Sequence, residues 1–340
     1  MEAIQDISSP AGESSSRNEE PSDDAKRAAE IDHALADQIN PADTVVVSGF
    51  WRSGTTWLEE ALAEILQAKT IFEPFHFLVP AAKQLFKYCG VAKKSESFRE
   101  LFIPYCGERT LEMNPLLHHY YDCALRAGLA GKAVRVLRKN PSESHRTRVV
   151  VKFTRGQFTL RAGHNTFAMP IIHVYRDPRA VVASAKMTDW YWLFDHLNLK
   201  EQLLDIPDGR AACFSQWQKE IGEYDRDKVS KIAAYWAITE KFLQDGFANS
   251  GSRIVFVSYE KLCREPEFIQ HILGRLNVQK PWNGNFQTMN GDSFSTSEQR
   301  RGASSAERIS GWRKALSSAE TATIESIARH FGFEERLANG

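Results

Sequence analysis

Four short apolar runs punctuate the chain: Thr44-Val45-Val46-Val47-Ser48, residues 149–153, 171–175 and 254–257. Each is rich in β-branched residues and bounded by turn formers, so each predicts a buried strand. Behind the first run the period changes. Trp57, Leu58, Ala61, Leu62, Ile65 and Leu66 recur at helical spacing. Residues 158–162 and 179–186 read as short helices, and residues 211–248 as two longer ones. Strands alternating with helices, with no block of strands alone, predict an α/β fold: a three-layer α/β/α sandwich around a mostly parallel sheet. The inserts 74–145 and 188–230 are expected to be helical or irregular and to lie over the strand ends, where open α/β sheets take ligands. Residues 283–305, rich in Gly, Asn, Ser and Thr, predict a surface loop. Ser317-Ser318-Ala319-Glu320 spells a capping box that starts a last helix running to about Ala328.

Composition changes this picture only at the N-terminus. The 340 residues are 42% hydrophobic and 25% charged, which excludes a collagen-like, wholly disordered or disulfide-dense chain. The 43 basic and 43 acidic side chains cancel, which argues against attraction of the whole molecule to nucleic acid or to a membrane surface. Yet residues 1–43 hold eleven acids and three bases, a formal −8 that leaves +8 on residues 44–340. A basic body suits an anionic ligand, although ordinary surface charge explains it as well. Residues 1–25 offer little apolar surface and are expected to be disordered, and 26–39 to form a short helix. The division is thus an acidic tail over 1–43 and a single domain over 44–340. Cys89, Cys106, Cys123, Cys213 and Cys263 form no CxxC pair, so reduced thiols, a cytoplasmic setting and no zinc site are expected. No run approaches ~18 apolar residues, and no basic-then-apolar leader pattern opens the chain.

The segment richest in chemistry is Ser48-Gly49-Phe50-Trp51-Arg52-Ser53-Gly54-Thr55-Thr56-Trp57. It follows a strand and opens a helix. A Gly-containing turn there aims backbone N–H groups at one point, at the positive end of a helix. Arg52, Ser53, Thr55 and Thr56 add a cation and hydroxyls, and together these make a phosphate cradle. It is not a Walker A loop, because no Lys precedes the Thr pair and no Mg²⁺ ligand is implied. An ordinary strand-to-helix turn with capping hydroxyls is the plainer alternative. A second motif, Ile171-Ile172-His173-Val174-Tyr175-Arg176-Asp177-Pro178-Arg179, also places an Arg at a strand end before a Pro-initiated helix. Arg offers phosphate a planar set of donors. A helix-capping ion pair is the alternative there.

Together these motifs resemble the sulfotransferases that use 3′-phosphoadenosine 5′-phosphosulfate (PAPS), over roughly residues 44–314. The resemblance implies the P-loop-like sulfotransferase fold and PAPS as cosubstrate, with no metal. It implies that Arg52, Ser53, Gly54, Thr55 and Thr56 take the 5′-phosphosulfate, and that Arg176 and Ser184 take the 3′-phosphate. Trp57 matches the aromatic that stacks on adenine in the cytosolic branch; a core Trp on an amphipathic helix is the equal alternative. Tyr259, in Ser258-Tyr259-Glu260-Lys261-Leu262, matches a nucleotide-contacting segment. Arg300, Arg301 and Gly302, with Ser304 and Ser305 beyond, resemble the C-terminal element that covers the 3′-phosphate.

Sulfuryl transfer needs a base for the acceptor proton, cations for the bridging and equatorial oxygens, and alignment. Arg52 is the first cation. Lys152 ends a buried strand, and the resemblance to the tyrosylprotein branch implies that it reaches the leaving oxygen; a solvent-facing strand end is the alternative. Glu73, in Phe72-Glu73-Pro74-Phe75-His76-Phe77, resembles the base of the same branch. A carboxylate among Phe72, Phe75 and Phe77 is expected to have a raised pKa. His76 competes for the role, with His118 and His119 behind it. The acceptor is expected to be a small molecule or a glycan. Lys132, Arg135, Arg138, Lys139, Arg146 and Arg148 form a basic stretch that suits an anionic acceptor or a solvated loop. Tyr120, Tyr121, Trp190, Tyr191 and Trp192 suit ring stacking or a core. The rival readings are a catalytically silent nucleotide-binding protein, an atypical P-loop kinase, and an interaction protein on an α/β fold.

Overall fold

The alternation of the apolar runs is realised as five parallel strands in one sheet. The computed structural model describes residues 36–79, 82–129, 145–248, 253–278, 293 and 302–338. The strands are β1 (Val45–Ser48), β2 (Ala68–Phe72), β3 (Arg148–Phe153), β4 (Ile171–Tyr175) and β5 (Ile254–Ser258), in the order β2-β3-β1-β4-β5. The helices that matter here are α1 (Thr55–Leu66), α2 (Pro115–Leu125), α3 (Leu160–Phe167), α4 (Pro178–Lys186), α5 (Lys228–Phe247), α6 (Tyr259–Arg264), α7 (Ile269–Arg275), α8 (Ser305–Ser310), α9 (Ser318–His330) and α10 (Glu334–Ala338).

Side chains of a strand alternate between faces, and the two cores follow that period. Val45, Val47, Val150, Ile172, Val174, Val255 and Val257 face one layer, packed with α1, α6 and α7. Val46, Val149, Val151, Phe153, Ile171 and Ile254 face the other, packed with α2 and α3. A further core joins α4, α5 and α9 to Phe50 and Trp51. The arrangement is the expected α/β/α sandwich, with every strand pair parallel.

β1 leads leftward through α1 to β2, whereas β4 leads rightward to β5. The loops after β1 and β4 therefore diverge, and the crevice between them is the topological switch point of the sheet.

Three expectations change. β2 was not foreseen: its sequence Ala-Lys-Thr-Ile-Phe carries a lysine, yet Lys69 is fully buried in the sheet. The stretch 211–248 divides further, into Ala211–Phe214, the 3-10 turn Ser215–Trp217, Gln218–Tyr224 and α5. The final helix α9 does begin with the Ser317–Glu320 capping box but runs on to His330. The acidic tail up to residue 35, the basic positions Lys132, Arg135, Arg138 and Lys139, and most of 283–305 lie outside the described residues. Among the described residues no helix is long and apolar enough to cross a membrane. All five cysteines are free thiols.

Candidate active site

The loop between β1 and α1 is shaped by two glycines. A Cβ on Gly49 would lie 2.3 Å from the Val174 carbonyl oxygen, so the loop passes β4 closer than any side chain allows. Gly54 has φ 89° and precedes α1, where a Cβ would meet the Tyr259 ring at 2.4 Å. Arg52 itself has φ 67°, unusual for a non-glycine residue and a mark of a constrained turn. Gln157 braces the turn by donating to the carbonyls of Gly49 (2.7 Å) and Thr154 (2.8 Å). The N–H groups of the first turn of α1 have no helical acceptors and point along the axis toward Arg52 and Ser53.

The loop after β4 meets this turn. Arg176 donates from Nη1 to the Arg52 carbonyl (3.0 Å) and from Nη2 to the Arg308 carbonyl (2.6 Å). Arg52 donates from Nε to Ser184 Oγ (3.0 Å), which α4 presents from its buried face. Tyr259 lies beneath both turns: the Arg176 guanidinium sits 4.5 Å over its ring, and Trp57 packs edge-on against it at 5.4 Å. Trp57 packs in the core against Tyr259. Two polar atoms in this crevice, Ser53 Oγ and Arg176 Nε, are buried without a hydrogen-bond partner among the described residues. Buried donors are nearly always satisfied, so a hydroxyl and a guanidinium N–H left over between two positively polarised turns fit a phosphate-bearing ligand.

The neighbouring strand ends carry the second cluster. Lys152 shares its strand face with Val150, the face covered by α1, and is in register with Phe72 and Val47. Its Nζ donates to Thr56 Oγ1 (2.9 Å), lies 3.4 Å from Glu73 Oε1 and sits 3.6 Å over the Phe72 ring. It is buried rather than solvent-facing. Glu73 follows β2 with φ 50°. Its N–H is held by the Lys152 carbonyl (3.2 Å), and Tyr120 donates to the Pro74 carbonyl next to it. Its other carboxylate oxygen accepts from the Arg155 N–H (3.2 Å), with the Arg155 guanidinium 3.9 Å away.

These contacts correct the expected pKa of Glu73. Burial pushes it up, but Lys152, then Arg155, a hydrogen bond from Thr154 and His76 together outweigh burial and hold it below the usual carboxylate value. The phenylalanines do not surround the carboxylate: Phe72 lies under Lys152 and Phe75 packs with Phe153 and Tyr121.

A cavity of about 240 Å³ opens over this cluster, lined by Arg52, Thr55, Thr56, Glu73, Lys152 and Arg155, with Trp51, Phe72, Leu101 and Trp190 as its apolar wall. Thr154, His76 and Glu100 complete it, the His76 Nε2 lying 3.5 Å from Glu100 Oε1. His118 and His119 are not among its lining residues, nor are Tyr191 and Trp192. Tyr120 and Tyr121 belong to the core against α3.

Arg155, Thr154 and Glu100 were not picked out from the sequence. Arg155 bridges Glu73 and Glu100, donating to the latter at 2.9 Å, and Thr154 Oγ1 lies 3.2 Å from Thr55 Oγ1. For Thr154 and Arg155 the available signal was their place directly after a buried strand, at the ligand-binding end of a parallel sheet; Glu100, at the end of the helix Glu96–Glu100, carried no such signal. Arg300 and Arg301 lie outside the described residues. Gly302 takes φ 74°, and Ser304 and Ser305 are exposed. Ser304 forms a capping box with Glu307 at the start of α8, and the Arg308 carbonyl of that helix accepts from Arg176.

A model of the sulfotransferase family matches residues 44–283, a span that holds both turns and the Lys152–Glu73 cluster. The chain belongs to the sulfotransferase family. It is a sulfotransferase, an enzyme of sulfuryl transfer. Solved structures similar to this sulfotransferase include a sulfotransferase domain from the curacin biosynthetic pathway, 15% identical over 86% of this chain and 98% of that one, with TM-score 0.42. Mouse sulfotransferase SULT7A1 complexed with PAP is 11% identical over 87% and 88%, with TM-score 0.38. A retinol dehydratase in complex with retinol and PAP is 14% identical over 90% and 86%, with TM-score 0.29. No match is found among curated protein sequences.

Proposed function

We propose that this sulfotransferase moves a sulfuryl group from PAPS to a hydroxyl or amine of a small acceptor, a carbohydrate or other hydroxylated metabolite, by in-line displacement. The observation that carries this reading is the junction of the two turns, where Arg176 binds the Arg52 carbonyl and Arg52 binds Ser184. One ligand with phosphates at both ends of an adenosine matches two adjoining cationic turns, each with a buried polar atom to spare.

In this reading the 5′-phosphosulfate lies along residues 52–56 and the 3′-phosphate at Arg176 and Ser184. Lys152 stands where Thr56 and Glu73 converge, next to the first turn of α1. It donates to the oxygen bridging phosphorus and sulfur as the S–O bond to the donor breaks. Glu73 takes the proton of the acceptor hydroxyl as the new S–O bond forms, and 3′-phosphoadenosine 5′-phosphate leaves. Lys152 touches both the leaving side and the base, so it aligns the two ends of the displacement.

Thermal unfolding with 3′-phosphoadenosine 5′-phosphate, beside ATP with Mg²⁺, tests the donor. Ligand at ~100 Kd adds about 2.7 kcal/mol to the folded state, and only the former should do so. Stabilisation by ATP–Mg²⁺ alone would favour a kinase. Labelled PAPS offered with a panel of hydroxyl acceptors then tests turnover. Tight binding of the product nucleotide with no transfer to any acceptor would make the protein a silent binder.

A further inference from the structure

The residues on either side of Arg176 are gripped by the end of the chain. Arg179 pairs with Asp177 through Nε (3.0 Å) and Nη2 (2.7 Å), and Asp177 caps α4. The same guanidinium lies 4.1 Å over the Trp312 ring, donates from Nη1 to Glu325 on α9 (2.8 Å), and donates from Nη2 to the Leu337 carbonyl on α10 (2.5 Å). One residue before Arg176, the Tyr175 ring is covered by Arg336 of α10 at 4.2 Å. Arg336 donates to Glu240 on α5 (2.6 Å), and Glu240 pairs with His173 on β4 (3.1 Å). With Arg308 on Arg176 itself, three separate C-terminal segments close on residues 173–179.

Four charged members of this network, Asp177, Arg179, Glu240 and Arg336, are buried, and Glu325 is half-buried. Such networks are weak sources of stability, because desolvation cancels much of the attraction and apolar packing does as well. What a guanidinium fork fixes is angle and distance together. The turn carrying Arg176 is therefore held in one geometry, with Arg176 Nε unpartnered among the described residues.

We propose that Arg179 is a positioning residue: with Trp312, Glu325 and the Leu337 carbonyl it forms a C-terminal clasp that holds the Arg176 turn in the geometry that distinguishes a nucleotide bearing a 3′-phosphate from one without it. This rests on the reading of Arg176 as the 3′-phosphate site.

Titration calorimetry of 3′-phosphoadenosine 5′-phosphate and of 5′-AMP, on wild type, Arg179→Ala, Arg179→Lys and Glu325→Gln, tests it. The clasp acts through Arg176 alone. Arg179→Ala should therefore weaken the 3′-phosphorylated ligand about tenfold or more while 5′-AMP stays within roughly twofold, the size of effect expected when a charged hydrogen bond is misplaced. Arg179→Lys keeps the charge but loses the fork, and should fall between Ala and wild type. Glu325→Gln, at a partly exposed position, should lower the discrimination roughly threefold. Equal weakening of both nucleotides would mean general loosening and would overturn the clasp, as would full discrimination in Arg179→Ala. If Arg179→Ala does not fold, Glu325→Gln decides, and an unchanged ratio there overturns the proposal. A wild-type protein that binds 5′-AMP as tightly as the 3′-phosphorylated ligand defeats the reading of Arg176 before any variant is made.

Discussion

Lys152 lies near the end of β3 and Glu73 directly after the adjacent parallel strand β2, and the lysine Nζ lies 3.4 Å from the glutamate Oε1 with both side chains buried. The lysine also holds Thr56 at the start of α1. One cation therefore links the start of α1 to the candidate base. Neither partner is idle: removing either leaves the other charge buried with less compensation.

The pair makes kinetic predictions that separate the two partners. Lys152→Ala should lower kcat by ~10²-fold or more, as for loss of a transition-state donor. Glu73→Gln keeps the side-chain volume and an oxygen to accept from the Arg155 N–H, so it should fold, yet kcat/KM should fall by roughly 10²–10⁴-fold for want of a proton acceptor. Steady-state rates with labelled PAPS read both. Wild-type turnover in Lys152→Ala would remove it from the mechanism, and near-full kcat/KM in Glu73→Gln would pass the role to His76.

The pH profile tests Glu73 without a variant. Lys152 and Arg155 outweigh burial and hold Glu73 below the ordinary carboxylate value. A base with a lowered pKa stays ionised until the pH falls through that value, so the acid limb of kcat/KM should lie below about 4.3, the unperturbed Glu value. An acid limb well above the ordinary carboxylate range would belong to a different base. A limb in that higher region sinks Glu73 as the base. In Lys152→Ala the limb should move upward, because the largest of the opposing charges is gone.

The sequence made the two cationic turns legible because both are contiguous: strand, glycine or proline, cation and helix follow one another within a few residues. Four of the five strands were legible for the same reason. β2 was not, since Lys69 breaks its apolar run, and only the paired strands and α1 around it explain why that lysine is buried. The charge environment of Glu73 was misjudged from its Phe neighbours in sequence. In space its neighbours are Lys152 and Arg155, about eighty positions away, and no local pattern records that. The C-terminal contacts on Arg179 were equally hidden, because a carbonyl at Leu337 leaves no mark on residue type.

Gly54 should not tolerate a side chain. Its φ of 89° and the Tyr259 ring 2.4 Å from a Cβ place Gly54→Ala in conflict with both backbone and neighbour. The cost of a strained left-handed residue is about 1–2 kcal/mol, and the ring must move as well. Tyr259 underlies Arg176, so its displacement should reach the proposed nucleotide site. We expect Gly54→Ala to lose most binding of 3′-phosphoadenosine 5′-phosphate in calorimetry while the far-ultraviolet dichroism stays that of wild type. Unchanged affinity would show that Tyr259 moves without disturbing the crevice.

Glu240 makes the last prediction, one of stability against pH. Burial raises its pKa, but His173 and Arg336 outweigh burial, and the net direction is down. A carboxyl whose folded pKa is depressed contributes stability that is complete above its unfolded pKa, about 4.3, and is lost as the pH falls through the lower folded value. Glu240→Gln cannot take part in that titration. At pH 7 it should be less stable than wild type by about 3–5 kcal/mol, because Arg336 stays buried without its carboxylate. As the pH falls through that lower folded value the wild-type carboxyl protonates and the advantage disappears. Melting temperatures of the two proteins should therefore converge at low pH, while the other carboxylates titrate alike in both. A gap that stays constant from pH 7 down to acid unfolding would show that the Glu240 charge contributes nothing to the fold.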